Sequence, residues 1–264
     1  LWYAVMSGLH LQGVSASPWG TPLLKDISFK LEAGKTLGVI GPNGAGKSSL
    51  LHCIAGGVSA STGDLSLDGQ PLSAIKARQR ARCMAMQVQH SVLSFPFSVE
   101  EVILLGRTPH ASGQAADMAI LQEVMTATDT SELRDRPYTQ LSGGEKQRVQ
   151  LARAVAQIWR EEDAGQRLLL LDEPNSALDL SHQRMVLKLV KQLTRGGCAV
   201  VLATHDFNLL SPHADQLLVL HQGKQFSHGA PEEVLTTQMF REVFDVEVSI
   251  QPRPGNGAPL VIHP

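Results

Sequence analysis

The chain has 264 residues, 43% of them hydrophobic, and a formal net charge of −2. That length carries one large α/β domain or two small lobes, and that composition excludes a disordered chain. The near-neutral balance carries no strongly basic field, so charge does not point to a nucleic-acid partner, although it leaves room for a local basic patch.

Residues 1–17 are apolar and end in Ser15-Ala16-Ser17, yet they carry no Lys or Arg. They read as a first strand and not as a signal segment, with Met6 as a possible native start. Several short strands are expected over 8–40, turning at Pro18-Trp19-Gly20 and Glu32-Ala33-Gly34. Residues 36–40 form an apolar strand that stops at a glycine-rich loop, and 48–55 read as a helix closed by Gly56-Gly57. The Asp68-Gly69 turn marks a small hairpin, and 73–82 read as a basic helix. From about 98 to 160 the pattern is helical, with capping-box spacing at Ser98/Glu101 and Ser142/Glu145.

Residues 168–171 are a fully apolar strand, as a parallel sheet covered on both faces requires. A helix over 181–195 and a second buried strand over 199–203 follow. Residues 216–229 read as a hairpin turning at Gln222-Gly223-Lys224, and Pro231 opens a short helix. The tail holds two strand-like pieces separated by Pro252 to Pro259. Strands alternating with helices predict a parallel α/β core.

The segment Gly41-Pro42-Asn43-Gly44-Ala45-Gly46-Lys47-Ser48 fits GxxxxGK[ST] between a strand and a helix. Its glycines let backbone N–H groups turn toward phosphate oxygens, and the helix start adds partial positive charge. Lys47 supplies a full charge to the β and γ phosphates, and the Ser48 hydroxyl suits Mg²⁺. Ser49 lies beside it in the same loop-to-helix turn.

The apolar strand ends in Asp172-Glu173-Pro174. A buried carboxylate pair needs cations or water. Asp172 is expected to face Mg²⁺ through its hydration shell. Glu173 is expected nearer the γ-phosphate, where it orients and deprotonates the attacking water.

The three cysteines, Cys53, Cys83 and Cys198, are far apart and form no CxxC pair. They read as small buried hydrophobes in a reducing compartment, and the histidines show no metal-ligand spacing. No apolar run reaches the roughly 18–20 residues of a spanning helix.

Leu141-Ser142-Gly143-Gly144-Glu145, followed by Lys146-Gln147-Arg148, resembles the signature sequence of the ABC ATPase superfamily. The order of phosphate loop, signature, acid pair and His205 also matches. The resemblance implies a P-loop core with a parallel sheet, an N-terminal antiparallel β-subdomain and a helical signature subdomain. It places the RecA-like core and β-subdomain at 1–90 and 161–264, and the helical subdomain at 91–160. It further implies a head-to-tail homodimer with two ATP at the interface, each sealed by the partner's Ser142, Gly143, Gly144 and Glu145.

Further residues carry over from the resemblance. Gln89 looks like the Gln-loop residue that reaches Mg²⁺ and the water, with Gln87 as a rival. His205 looks like the switch histidine on the γ-phosphate. Ser176 to Asp179 resemble the loop that crosses the dimer interface. Trp19, 22 positions before Gly41, stands where an aromatic stacks on adenine. Asn175 departs from the usual Thr.

Ser94-Phe95-Pro96-Phe97 and the run to Arg107, followed by Thr108-Pro109-His110, resemble importers of iron-siderophore, heme and cobalamin. The segments around Trp159 and His182 look most like the heme importer ATPases. The implied partners are two membrane permease subunits and a periplasmic binding protein, at the cytoplasmic face of a bacterial inner membrane. The Phe95-Phe97 zone is expected to receive a short permease helix. A soluble iron-sulfur assembly ATPase is a further alternative. A DNA-repair relative is disfavoured, because only about 95 residues separate loop and signature and no heptad array intervenes.

Overall fold

The computed structural model describes residues 8–89, 93–161, 165–255 and 257–263. The reading of Met6 as a start, and the first part of the expected strand over 1–17, fall outside them.

Strands β1 (Gly8–Ala16) and β2 (Leu24–Glu32) pair antiparallel, and β1 also pairs antiparallel with β4 (Thr62–Leu67). β5 (Gln70–Pro71) completes the expected hairpin at Asp68-Gly69. The strands over 8–40 are longer than expected, nine residues each for β1 and β2. Register shifts between Leu11 and Ala16 absorb the twist of that length.

The parallel core is β6 (Met84–Gln87), β7 (Leu168–Asp172), β8 (Ala199–Ala203), β3 (Thr36–Ile40) and β9 (Gln216–His221), in that order. β10 (Lys224–Gly229) folds back on β9 through the Gln222-Gly223 turn and touches β2 at a single parallel pair, Lys224 with Lys25. That one pair joins the antiparallel strands to the core. The β-subdomain is therefore continuous with it in a ten-stranded sheet among the described residues.

Alternation along the buried strands feeds two cores. Leu169, Leu171, Val200, Leu202, Leu217 and Val219 face one side, against α6 (Leu180–Arg195) and the helices of the signature region. Leu168, Leu170, Val201, Leu218 and Leu220 face the other, against α1 (Lys47–Ala55), β1 and β2. Each such leucine contributes about 1.5–3 kcal/mol by leaving water. This two-sided burial explains why these strands carry no polar alternation.

Helix α2 (Ala77–Cys83) starts four residues later than the basic pattern from 73 predicts. Leu72 to Ile75 are spent in turns closed by Ala74 N to Pro71 O and Ile75 N to Leu72 O. Lys76 is extended at ψ 142°.

The signature region packs α3 (Val99–Leu104), α4 (Gln114–Ala127) and α5 (Gly143–Gln157). Both expected capping boxes form. Ser98 Oγ accepts from Glu101 N at 3.2 Å, and Ser142 Oγ accepts from Glu145 N at 3.3 Å. The Gly106-Arg107 pair is structural. A Cβ on Gly106 would meet Arg153 O of α5 at 2.2 Å, so only glycine permits this approach. Arg107 is buried, donating to Asp117 Oδ1 at 2.9 Å, Ala156 O at 2.9 Å and Ser112 Oγ at 3.0 Å. Burial alone would raise the Asp117 pKa, but the bonds from Arg107 and Ser112 hold it below the usual carboxylate range.

The three cysteines are free and buried, as expected. Burial pushes the Cys53 thiol up to about 11 and the Cys198 thiol to about 12, so neither is a nucleophile at neutral pH.

After the last core strands come α7 (Phe207–Leu210), α8 (Pro231–Val234) and α9 (Thr237–Phe244). The tail closes as an antiparallel hairpin of β11 (Ser249–Pro252) and β12 (Pro259–Ile262). No described helix is long and apolar enough to cross a membrane.

Arg107→Leu is expected to destabilise the fold by about 1–3 kcal/mol, because it leaves the buried Ala156 O and the half-buried Asp117 carboxylate without their donor. Urea unfolding measures this, and a loss under 1 kcal/mol would show that the buried guanidinium is dispensable.

Candidate nucleotide site

The loop from Gly41 to Gly46 leaves β3 at Ile40 and enters α1 at Lys47. Gly41 adopts φ 153°, and a Cβ there would strike Leu220 O at 2.2 Å. Gly46 adopts φ 105° as the left-handed residue before the helix. The loop is fastened by Ala45 N to Pro42 O at 3.1 Å and Gly223 N to Ala45 O at 3.0 Å.

A cavity of about 530 Å³ opens over this loop. It is lined by residues 43–49, by Gln89 and Glu173, and by Pro22, Leu23, Gln222 and Gly223. Lys47 is buried and donates to Gly41 O at 2.8 Å and Pro42 O at 3.2 Å. Burial lowers its pKa, while the nearby charges of Glu173 and Asp172 act in the opposite sense. The site therefore holds a cation that an anionic ligand would favour.

Asp172 ends β7, buried, and its Oδ1 has no hydrogen-bond partner among the described residues. A buried carboxylate oxygen without a donor is costly, and a hydrated divalent cation would satisfy it. With the Ser48 hydroxyl and the Gln89 amide oxygen, both on residues that line the cavity, it would supply all-oxygen ligands of the kind Mg²⁺ takes. The residues fit that ion.

Glu173 adopts φ 50°, a left-handed conformation that a residue with a Cβ enters only when its surroundings hold it there. Its N–H donates to Ala203 O at 2.9 Å, and its carbonyl accepts from Gln147 Nε2 at 2.9 Å and Ser176 Oγ at 3.2 Å. Its Oε2 stands 2.9 Å from His205 Nδ1. Glu173 is nearly buried, whereas the His205 ring is 70% exposed. The two side chains assigned by sequence to the γ-phosphate thus meet each other.

Gln89 is exposed and lines the same cavity, whereas Gln87 closes β6, buried, with its Nε2 on Gln147 O at 3.4 Å. The geometry favours Gln89 over its rival. The backbone of Trp19 lies in a one-turn 3₁₀ segment, Pro18–Gly20, and its side chain lies outside the described residues. Pro22 and Leu23, close behind it, do reach the cavity.

Ser142 and Gly143 are exposed at the tip of α5 and do not line this cavity. The Ser142 Oγ accepts a bond from Glu145 N within its own helix. Bonds from Ser142, first its backbone N–H and then its hydroxyl, lower the Glu145 pKa, and Arg136 adds to this. Asp179 caps α6. Its Oδ1 accepts from His182 N at 2.9 Å and Ser181 Oγ at 2.8 Å, which lowers its pKa to about 2. Asn175 is buried, and neither end of its amide has a partner among the described residues. Nothing in the structure explains it.

Gln147 had no assigned role in the sequence. Besides Glu173 O, its amide reaches Ser176 Oγ at 3.4 Å and accepts from Ala177 N at 3.0 Å. Its spacing three residues beyond Gly144 was the available signal. Gly144 faces the same loop, where a Cβ would meet Ala177 O at 3.0 Å.

The profile of the ABC transporter family matches residues 24–176. The chain is 46% identical over 257 residues to the hemin import ATP-binding protein HmuV of Pseudomonas entomophila strain L48, covering 97% of this chain and 98% of that protein. It is 42% identical over 256 residues to the protein of the same name from Myxococcus xanthus strain DK1622, covering 96% of each. Among solved structures it resembles a metal-chelate type ABC transporter in an inward-facing conformation, with a TM-score of 0.78 and 26% identity over 97% of this chain and 96% of that one. A family match over residues 24–176 and near full-length relatives at 42–46% identity show that the chain belongs to the ABC transporter ATPases.

Proposed function

We propose that the chain hydrolyses ATP to power hemin import, as a homodimer bound to two membrane permease subunits. A periplasmic binding protein delivers the cargo, and the ATPase sits at the cytoplasmic face of a bacterial inner membrane. The observation that carries the cargo is the near full-length identity of 41–46% to proteins named for hemin import. The likeness to a metal-chelate type transporter favours iron-siderophore or cobalamin as the second reading. The helices of residues 91–160 form a lobe that carries the signature, and the remaining residues form the nucleotide-binding core.

Within each protomer the loop N–H groups and Lys47 bind the phosphates. Lys47 then exchanges its bonds to Gly41 O and Pro42 O for phosphate oxygens. Ser48, Gln89 and Asp172 would hold Mg²⁺, which when bound would supply charge neutralisation to the transferred phosphoryl group. Glu173 takes the proton of the attacking water, and His205 turns from Glu173 to the γ-phosphate. The partner's signature tip supplies the Ser142 hydroxyl and the first-turn N–H groups, so closure of the pair completes each site. Ser176 and Asp179 lie on the loop at that interface. ATP binds the closed pair more tightly than the open one, and this difference drives the permease. Phe95 and Phe97 are exposed, with rings 6.1 Å apart, and offer an apolar seat for a permease helix.

Glu173→Gln is expected to keep ATP affinity and lower turnover by roughly 10²–10⁴. Steady-state ATPase assays and nucleotide binding check this, and near-normal turnover would remove Glu173 from its role. The same variant with Mg-ATP should sediment as a dimer; a strict monomer, even beside its membrane partner, would overturn the shared-site reading. Lys47→Ala should instead weaken ATP binding, as equilibrium titration with a fluorescent ATP analogue reads. In reconstituted complexes, hemin should stimulate ATPase activity more than a ferric siderophore or cobalamin does; the reverse order would reassign the cargo.

A further inference from the structure

The His205 ring is largely exposed, and its side chain meets the Glu173 carboxylate, with Nδ1 2.9 Å from Oε2. Its placement therefore depends on its backbone. On the upstream side that backbone is fixed by β8 and by Thr204 N donating to Val39 O at 3.2 Å. On the downstream side it runs into α7, a helix of four residues capped by Asp206, whose Oδ1 accepts from Leu209 N at 2.8 Å. One helical turn does not hold itself in water. Tertiary contacts must fix it.

Those contacts come from the C-terminal segment. The Asn208 side chain donates through Nδ2 to Val261 O at 2.7 Å and accepts through Oδ1 from Val261 N at 2.7 Å. An amide bonded to both backbone groups of one residue presents the donor–acceptor pair of a neighbouring strand, and so extends β12 by one rung. Arg253 Nη2 donates to Asn208 O at 2.6 Å, and Ser211 Oγ donates to Pro259 O at 2.7 Å, buried. Phe207 sets its edge on Phe240 and Phe244 of α9, at 4.9 and 5.0 Å between centroids. The tail thus grips the short helix that begins two residues after the switch histidine.

We propose that Asn208 is a positioning residue for His205, and that the β11–β12 hairpin is the clamp through which it acts. The inference rests on the reading of His205 as the γ-phosphate ligand. Its physical basis is directional. Two bonds to one strand residue fix both the position and the rotation of α7, and the turn that presents the imidazole moves with it.

The test is a double-mutant cycle on the full-length chain, with ATPase turnover as readout and melting temperature measured for every variant. Asn208→Leu keeps the side-chain volume and removes both bonds. It is expected to lower kcat about tenfold, with KM for ATP changed less than about twofold, since misplacing a catalytic group by an ångström or less costs turnover. In a His205→Ala background the same substitution should cost nothing further. The ring resonances of His205 should shift or broaden in Asn208→Leu. If that variant does not fold, Ser211→Ala removes one bond of the same seam and enters the same cycle. Equal losses in both backgrounds would reduce the clamp to a stability element and overturn the inference. So would an Asn208→Leu variant with unchanged kcat while His205→Ala is impaired. Normal turnover in His205→Ala would instead sink the reading of His205 and the inference with it.

Discussion

The constraint on which the site depends is the convergence of four adjacent parallel strands at one edge of the sheet. In the order β3, β8, β7, β6, each delivers one part of the candidate site at or just beyond its last residue: the phosphate loop, His205, the acid pair and Gln89. Residues far apart in sequence become neighbours because parallel strands all end on the same side. Ligands of open α/β sheets bind at such carboxyl ends, where loops are free to vary and the strands beneath are rigid. The result is a cation and two carboxylates nearly buried together. None of them would tolerate burial alone, and the pull of Glu173 and Asp172 partly offsets the desolvation of Lys47.

The parts legible in the sequence were those whose physics is local. The phosphate loop is a run of glycines whose φ values a side chain would forbid, and it sits between a strand and a helix. The capping boxes need only a serine and a glutamate three apart, and both form. The buried strands announce themselves by lacking polar alternation. The choice between Gln87 and Gln89 was not local in this sense. It depends on where β6 ends, since the last strand residue, Gln87, is taken into the interior and the residue two beyond it is released to the cavity. The junction of the β-subdomain with the core was equally hidden, because a single pair between Lys25 and Lys224 makes it across about two hundred positions. Asn208 carries no motif at all. Its importance exists only once β12 has returned to α7.

Glu173 shows why so many polar groups gather behind the acid pair. Its left-handed backbone costs on the order of 1–3 kcal/mol and persists only where surrounding contacts determine it. Its N–H is tied to Ala203 of the adjacent strand, and its carbonyl is held by Gln147 and Ser176. Gln147 belongs to α5, whose exposed tip is the N-cap Ser142 and Gly143. The same amide also grips Ala177 N, so the loop after the acid pair is bound to the signature helix at several points. The strained residue that lines the cavity is thereby fastened to a helix whose tip does not line it. A helix is stiff along its length, and the tip of this one is further closed by its own capping box. The contacts that hold Glu173 in its strained conformation are therefore the contacts that set the signature tip relative to its own protomer's acid pair. Neither feature can be relaxed without disturbing the other.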